Sequence, residues 1–305
     1  MKANKKNVVV TAANDKYINY AINMLESINS KSFMIGVFDL GLSAANKCRI
    51  SRACNDGCII IDPGWQISPP DCESTPDYKK VFLAKPFIPD LFPGFSKYLW
   101  IDSDIWFQDS SALDDYFDAA TQTGMAICYE SHPMYSRSKN SLLYNFRRNL
   151  RLTKESHKKK RIRKYFGREM AKNWGNTPIM NSGIFCILAD SPIWQLWRDM
   201  MKEANLMGHE RKRLICDQTC LDLAVLINDF TPTIMPATHN WCVGLAEPLV
   251  HPSTGRLVDP IHPYREIKVL HSAGSIKRDF RLWQAKAESA KDPLRQKKSM
   301  HRLPA

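Results

Sequence analysis

Two carboxylates stand two residues apart in the stretch KYLWIDSDIWF, residues 97–107: Asp102 and Asp104, with Ser103 between them. A bare Asp-x-Asp is common by chance, and its bland reading is a polar bend between two strands. The large apolar neighbours on both sides argue for more, because burying two carboxylates among them is costly unless a cation compensates. A phosphatase-type aspartyl nucleophile fits less well, since Trp106 stands where Thr or Val belongs and the pair lies far from the first strand. His271 follows the apolar run IKVL and opens HSAGSIK. Alone it could be a hydrogen-bonded histidine at a strand end. Joined to Asp102 and Asp104, it completes a mainly oxygen site with one nitrogen. Such a site suits Mn2+ or Mg2+, with diphosphate oxygens filling the remaining positions. Gly274 would let the backbone approach a phosphate, and Lys277 would bring positive charge to it.

These residues need a frame, and the apolar periodicity supplies one. Residues 7–13 (NVVVTAA), 33–40, 57–62, 97–107 (interrupted by the two carboxylates) and 124–129 read as buried strands, and residues 184–188 and 267–270 resume that character. Helical patterns run over 17–28, 44–54, 192–204 and 217–228, with Ser191 as cap and Pro192 in the first turn of the third. Alternating strands and helices imply an α/β fold with a mostly parallel central sheet and helices on both faces. In such a sheet ligands bind at the carboxyl ends of the strands, where Asp102 would stand.

Composition narrows the class. Hydrophobic residues make up 44% of the chain and charged residues 24%, which excludes a disordered chain. No apolar run reaches the ~20 residues needed to span a bilayer. Val8–Val10 is too short for the apolar region of a signal peptide, so the expected location is the cytoplasm. The nine cysteines are scattered and odd in number, and neither 48/54/58 nor 216/220 has zinc-knuckle spacing, so reduced and mostly buried thiols are expected.

At this depth the sequence resembles glycosyltransferase family 8, which contains glycogenin and bacterial lipopolysaccharide galactosyl- and glucosyltransferases. Five motifs carry the likeness in order from the first strand to about residue 283. The resemblance implies a GT-A fold, a UDP-sugar donor, a Mn2+ (or Mg2+) cofactor and transfer with retention of anomeric configuration. It implies that Thr11, Ala12, Asn14 and Tyr17 hold the uridine, and that Lys85 contacts the donor where the family more often has Arg. Asp102 and Asp104, with Ser103, and the His271/Gly274/Lys277 run would bind metal and diphosphate. Asn181 and Ser182, before Gly183, match the Asn-Ala-Gly that cradles the sugar. Asp217 and Gln218 match the Asp-Gln near the anomeric carbon, although Asp217 also reads as a helix N-cap. Ser182, and Arg278-Asp279 after Lys277, depart from the family pattern and bear on which sugar is taken.

The net charge of +12 is concentrated. Of 43 Lys/Arg and 31 Asp/Glu, 14 and 2 fall between Arg137 and Lys172, so this segment carries the whole excess. The expected organisation is one GT-A domain over residues 1–290, with a basic helical insertion at about 131–178 and a basic tail at 291–305. The insertion reads either as a solvated addition or as a cationic amphipathic helix for an anionic membrane surface. Expected partners are a nucleotide-sugar donor and a saccharide or glycolipid acceptor, at the inner face of the membrane. An inverting transferase of the same fold is a near alternative. A basic nucleic-acid-binding protein is a distant one, because no recognition module is present and it leaves Asp102, Asp104 and His271 without a role.

Overall fold

The computed structural model describes residues 7–28, 32–55, 57–69, 75–137, 156–211 and 216–273. Gly274, Lys277, residues 138–155 and the tail at 291–305 lie outside these described residues.

Seven strands form the central sheet: β1 (Val8–Ala13), β2 (Met34–Asp39), β3 (Cys58–Ile61), β4 (Lys97–Ile101), β6 (Met125–Tyr129), β7 (Met180–Leu188) and β8 (Thr233–Met235). Their order is β3-β2-β1-β4-β7-β6-β8. β1 pairs in parallel with β2 and β4, whereas β7 runs antiparallel to both β4 and β6. A strand buried on both faces needs apolar residues at every position, and VVVTAA of β1 is fully buried. Val8, Val10 and Ala12 pack on one face with Trp100 and Phe185, while Val9 and Ala13 pack on the other with Leu99 and Ile184. Burying each large side chain of this kind contributes about 1.5–3 kcal/mol. Helix Ile18–Ser27 covers the second face through Ile18, Ala21 and Leu25.

The other strands are β5 (Ile105–Phe107), β9 (Trp241–Cys242), β10 (Leu249–Val250), β11 (Leu257–Val258) and β12 (Val269–His271). β5, β12 and β9 make a small sheet beside the main one. Here the strand expected over 97–107, interrupted by its two carboxylates, is two strands in different sheets. β4 stays in the central sheet and β5 leaves it, with the aspartates in the turn between. A second correction concerns β7, which begins at Met180, so Asn181, Ser182 and Gly183 lie within the strand. Because β7 opposes β4, with Ile101 across from Ile184, its amino end meets the carboxyl ends of β1 and β4 at one edge.

The cationic segment forms helix His157–Trp174, broken at Gly167, whose φ of 87° lies in the left-handed region. The two halves fold back on each other: Ser156 donates to the Gly175 carbonyl at 3.0 Å. Among the described residues no helix is long and apolar enough to cross a membrane. The eight described cysteines are free thiols, five of them buried.

Candidate active site

Asp102 is the first residue beyond β4. Its amide donates to the Gly183 carbonyl at 2.7 Å, and its own carbonyl accepts from Ile105 at 3.1 Å, which closes the turn into β5. Asp102 Oδ1 accepts from Trp100 Nε1 at 2.7 Å and Lys85 Nζ at 3.2 Å. Asp104 is buried and its carbonyl accepts from the Ser272 amide at 2.9 Å. The antiparallel pairing of β12 with β5 sets His271 opposite Ile105, next to the turn. One ligand atom from each of Asp102, Asp104 and His271 lies within 4.8 Å of the others.

The chemistry of this donor set fits a divalent cation. His271 Nδ1 sits 2.9 Å from Asn240 Oδ1, and with Nδ1 donating there Nε2 is the nitrogen turned to Asp104, free to bind a metal once the metal displaces its proton. Nε2 is 3.6 Å from Asp104 Oδ1. Burial lowers the pKa of His271, yet the Asp104 carboxylate overcomes this and pushes it up to about 10. Desolvation pushes the Asp102 carboxyl above its ordinary value against the pull of Lys85, and Asp104 adds to the rise. The mutual effect of the carboxylates is common to both shifts, marking a spot that demands positive charge. Two carboxylates and one imidazole match Mn2+ or Mg2+ rather than a thiolate-seeking metal.

Lys85 is 2% exposed and stands behind this turn. Its ammonium approaches Asp102 Oδ1 at 3.2 Å, Asp217 Oδ2 at 3.1 Å and the Ser182 carbonyl at 3.1 Å, and lies 4.8 Å from the Trp100 ring centroid. An ammonium has three N–H donors, and three protein acceptors surround this one. These contacts tie the metal turn to β7 and to helix Asp217–Ile227. Burial lowers the lysine pKa, but the two carboxylates raise it further, so the ammonium stays charged.

A cavity of about 860 Å3 opens at this edge of the sheet. Ala12, Asn14 and Tyr17, at the end of β1, line one side. Asp102, Ser103, Asp104 and His271 line its middle, and Asn181, Ser182 and Gln218 line the far side. Three expected residues stand elsewhere. Thr11 is fully buried, because it lies two residues inside β1 on the face turned away from Ala12. Lys85 and Asp217 face each other behind the wall. Asp217 is also not the N-cap of its helix, a position held by Cys216. Its carboxylate instead accepts from Ser182 Oγ at 3.4 Å.

Some site residues carried no signal in the sequence. Asn240 orients His271 from an irregular stretch with no motif around it. Glu130 accepts from Asn181 Nδ2 at 2.8 Å, while Asn181 Oδ1 accepts from the Gly183 amide at 2.9 Å. Lys158 and Arg161 line the cavity, although their place in a run of cations reads as solvated.

No protein-family model matches this sequence, and comparison with curated protein sequences finds no match. Solved structures do match. The chain has the fold of the GT-A glycosyltransferases. It is similar to the galactosyltransferase LgtC in complex with donor and acceptor sugar analogues, at 15% identity and a TM-score of 0.52, over 92% of this chain and 95% of that one. GlyE of Streptococcus pneumoniae TIGR4 matches at 15% identity and a TM-score of 0.52, over 97% of this chain and 64% of its own. Mouse xyloside xylosyltransferase 1 matches at 11% identity and a TM-score of 0.51, over 88% and 97%.

Proposed function

We propose that this protein is a metal-dependent glycosyltransferase of the family 8 type, moving a hexose from a UDP-sugar to a saccharide or glycolipid acceptor with retention of configuration. The observation that carries the reading is the cluster of Asp102, Asp104 and His271, with ligand atoms within 4.8 Å, on the wall of a cavity at the ligand-binding edge of the sheet.

A divalent ion held there would supply Lewis-acid stabilisation of the diphosphate leaving group. Asp102, Asp104 and the Nε2 of His271 would hold it, with Asn240 orienting the imidazole. Ala12, Asn14 and Tyr17 bind the uridine at the end of β1, and Ser103 lies beside the diphosphate. Gly274 and Lys277, which lie outside the described residues, would act on the phosphates as the resemblance implies. Asn181 and Ser182 cradle the sugar, and Gln218, with Asp217 behind it, faces the anomeric carbon, where positive charge develops as the bond breaks. Retention needs no separate base opposite the leaving group. The concentration of charge between Arg137 and Lys172 supports docking to an anionic membrane surface, with a bacterial surface polysaccharide or lipopolysaccharide as the product and the inner face of the membrane as the place.

Calorimetric titration with UDP, GDP and ADP in Mn2+ tests the donor assignment. UDP should bind most tightly, and Tyr17→Ala should erase the preference. Equal affinities for the three would mean that only the phosphates are read.

A further inference from the structure

Helix His157–Trp174 enters the cavity wall with its first turn. Ser156 caps it by accepting from the Lys159 amide at 3.1 Å. Lys158 is 4% exposed, and its Nζ donates to Thr177 Oγ1 at 2.8 Å and the Pro178 carbonyl at 2.9 Å, 3.0 Å from Asp222 Oδ2. That cation is cancelled inside the wall. Asp222 belongs to helix Asp217–Ile227, so the pair fastens the two helices together.

Arg161 lines the same cavity and is not cancelled. Its Nη1 donates to Cys216 Sγ at 3.3 Å, and no described carboxylate lies within ion-pair distance of it. Burial raises the thiol pKa of Cys216, and the adjacent Asp217 raises it further, so the sulfur is neutral and offers no counter-charge. His157 lines the cavity four residues earlier on the same face of the helix. Cys216 immediately precedes Asp217 and Gln218, so the guanidinium is tethered at the sugar end of the cavity, across from Ala12, Asn14 and Tyr17. A planar guanidinium with open donors matches two oxygens of a phosphate at once, which an ammonium does not.

We propose that Arg161, with His157 beside it, forms an anion subsite at the acceptor end of the cavity, and that the acceptor is a saccharide bearing a phosphomonoester. This rests on the glycosyltransferase reading above and adds the acceptor's chemical class. Two kinds of cation are thereby distinguished on one segment: all four are exposed, but Arg161 lines the cavity whereas Lys160, Arg168 and Lys172 are absent from its lining.

The test is a calorimetric titration of the full chain, already saturated with UDP and Mn2+, with glucose 6-phosphate and with glucose. Prior saturation keeps the probe's phosphate off the metal. The phosphorylated sugar should bind at least about tenfold more tightly, the effect of one charge-assisted contact, and Arg161→Gln should remove the difference. UDP affinity should be unchanged in that variant, which shows that it is folded. Equal binding of the two sugars by wild type, or an unchanged preference in Arg161→Gln, overturns the proposal. Sedimentation with phosphatidylglycerol vesicles separates the two sources of phosphate. If Arg161→Gln weakens vesicle binding but leaves glucose 6-phosphate binding intact, the residue reads a lipid headgroup and the subsite is refuted. Failure of wild type to bind UDP in Mn2+ would instead strike the donor assignment, a separate readout.

Discussion

Gly183 and His271 touch so closely that only a hydrogen fits between them. A methyl group added at Gly183 would lie 2.3 Å from Cε1 of the imidazole and 2.8 Å from Asn181 Oδ1. Contacts this short force a neighbour to move, and both neighbours are held, His271 by Asn240 and Asn181 by Glu130. Gly183→Ala should therefore turn the imidazole off its axis and weaken Mn2+ binding by about 10- to 100-fold, the usual cost of losing ligand orientation. Calorimetric Mn2+ titration reads it. An unchanged affinity would mean that His271 is not a ligand.

Lys85 joins three elements by charge. Removing one partner of a buried ion pair leaves the others uncompensated, at a cost of roughly 3–5 kcal/mol. Lys85→Met should lose stability of that order in urea unfolding, because Asp217 is left buried and Asp102 loses its cation. A loss below about 1 kcal/mol would show that the ammonium is not what holds the turn to β7.

The outward cations of the basic segment should govern surface binding. Each basic residue near an anionic leaflet contributes about 1 kcal/mol, screened by salt. Replacing Lys160, Arg168 and Lys172 with Ser should weaken sedimentation with anionic vesicles by roughly a hundredfold or more. Hydrolysis of the free donor should persist, since these residues are not part of the cavity lining. Vesicle binding like that of wild type would leave the segment's charge without this role.

Asp222 gives a pH signature. Burial, against the pull of Lys158, pushes its carboxyl up to about 7, whereas an unfolded aspartate titrates near ~3.9. The folded state holds the proton more tightly between those values. The stability contributed by Asp222 is therefore complete at acidic pH and lost as pH rises through about 7. Relative to Asp222→Asn, the wild type should lose about 1.4 kcal/mol per pH unit on rising from pH ~5 towards the folded-state value. Urea unfolding of both proteins across that range measures it, and parallel curves would contradict it.

The sequence was most legible where burial and charge conflict. Asp102 and Asp104 sit among residues that must be inside, which pointed to a cation before any geometry was known. The sheet was readable for the same reason, since β1, β2, β4 and β6 are almost wholly buried and therefore apolar. The interruption between β4 and β5 was marked by Asp102-Ser103-Asp104, but that β5 joins a different sheet was hidden, because only partner strands decide it. Lys85 was found, but its buried partners Asp102, Asp217 and the Ser182 carbonyl were not: a sequence shows that a cation is present, not what surrounds it. Lys158 was counted with the solvated cations around it, because nothing local distinguishes a lysine aimed at a buried aspartate 64 residues away. Asn240 had no pattern at all. Orientation of a ligand's far nitrogen is a tertiary property.

The central claim is that Asp102, Asp104 and His271 hold a metal on which sugar transfer depends. The direct measurement is the rate of UDP-sugar hydrolysis by wild type and Asp104→Asn, with EDTA and with Mn2+ restored. EDTA should abolish the wild-type rate and Mn2+ should return it. Asp104→Asn should lose at least about a hundredfold in kcat/KM, close to 3 kcal/mol of transition-state stabilisation. Full activity of Asp104→Asn in the presence of chelator would contradict the claim.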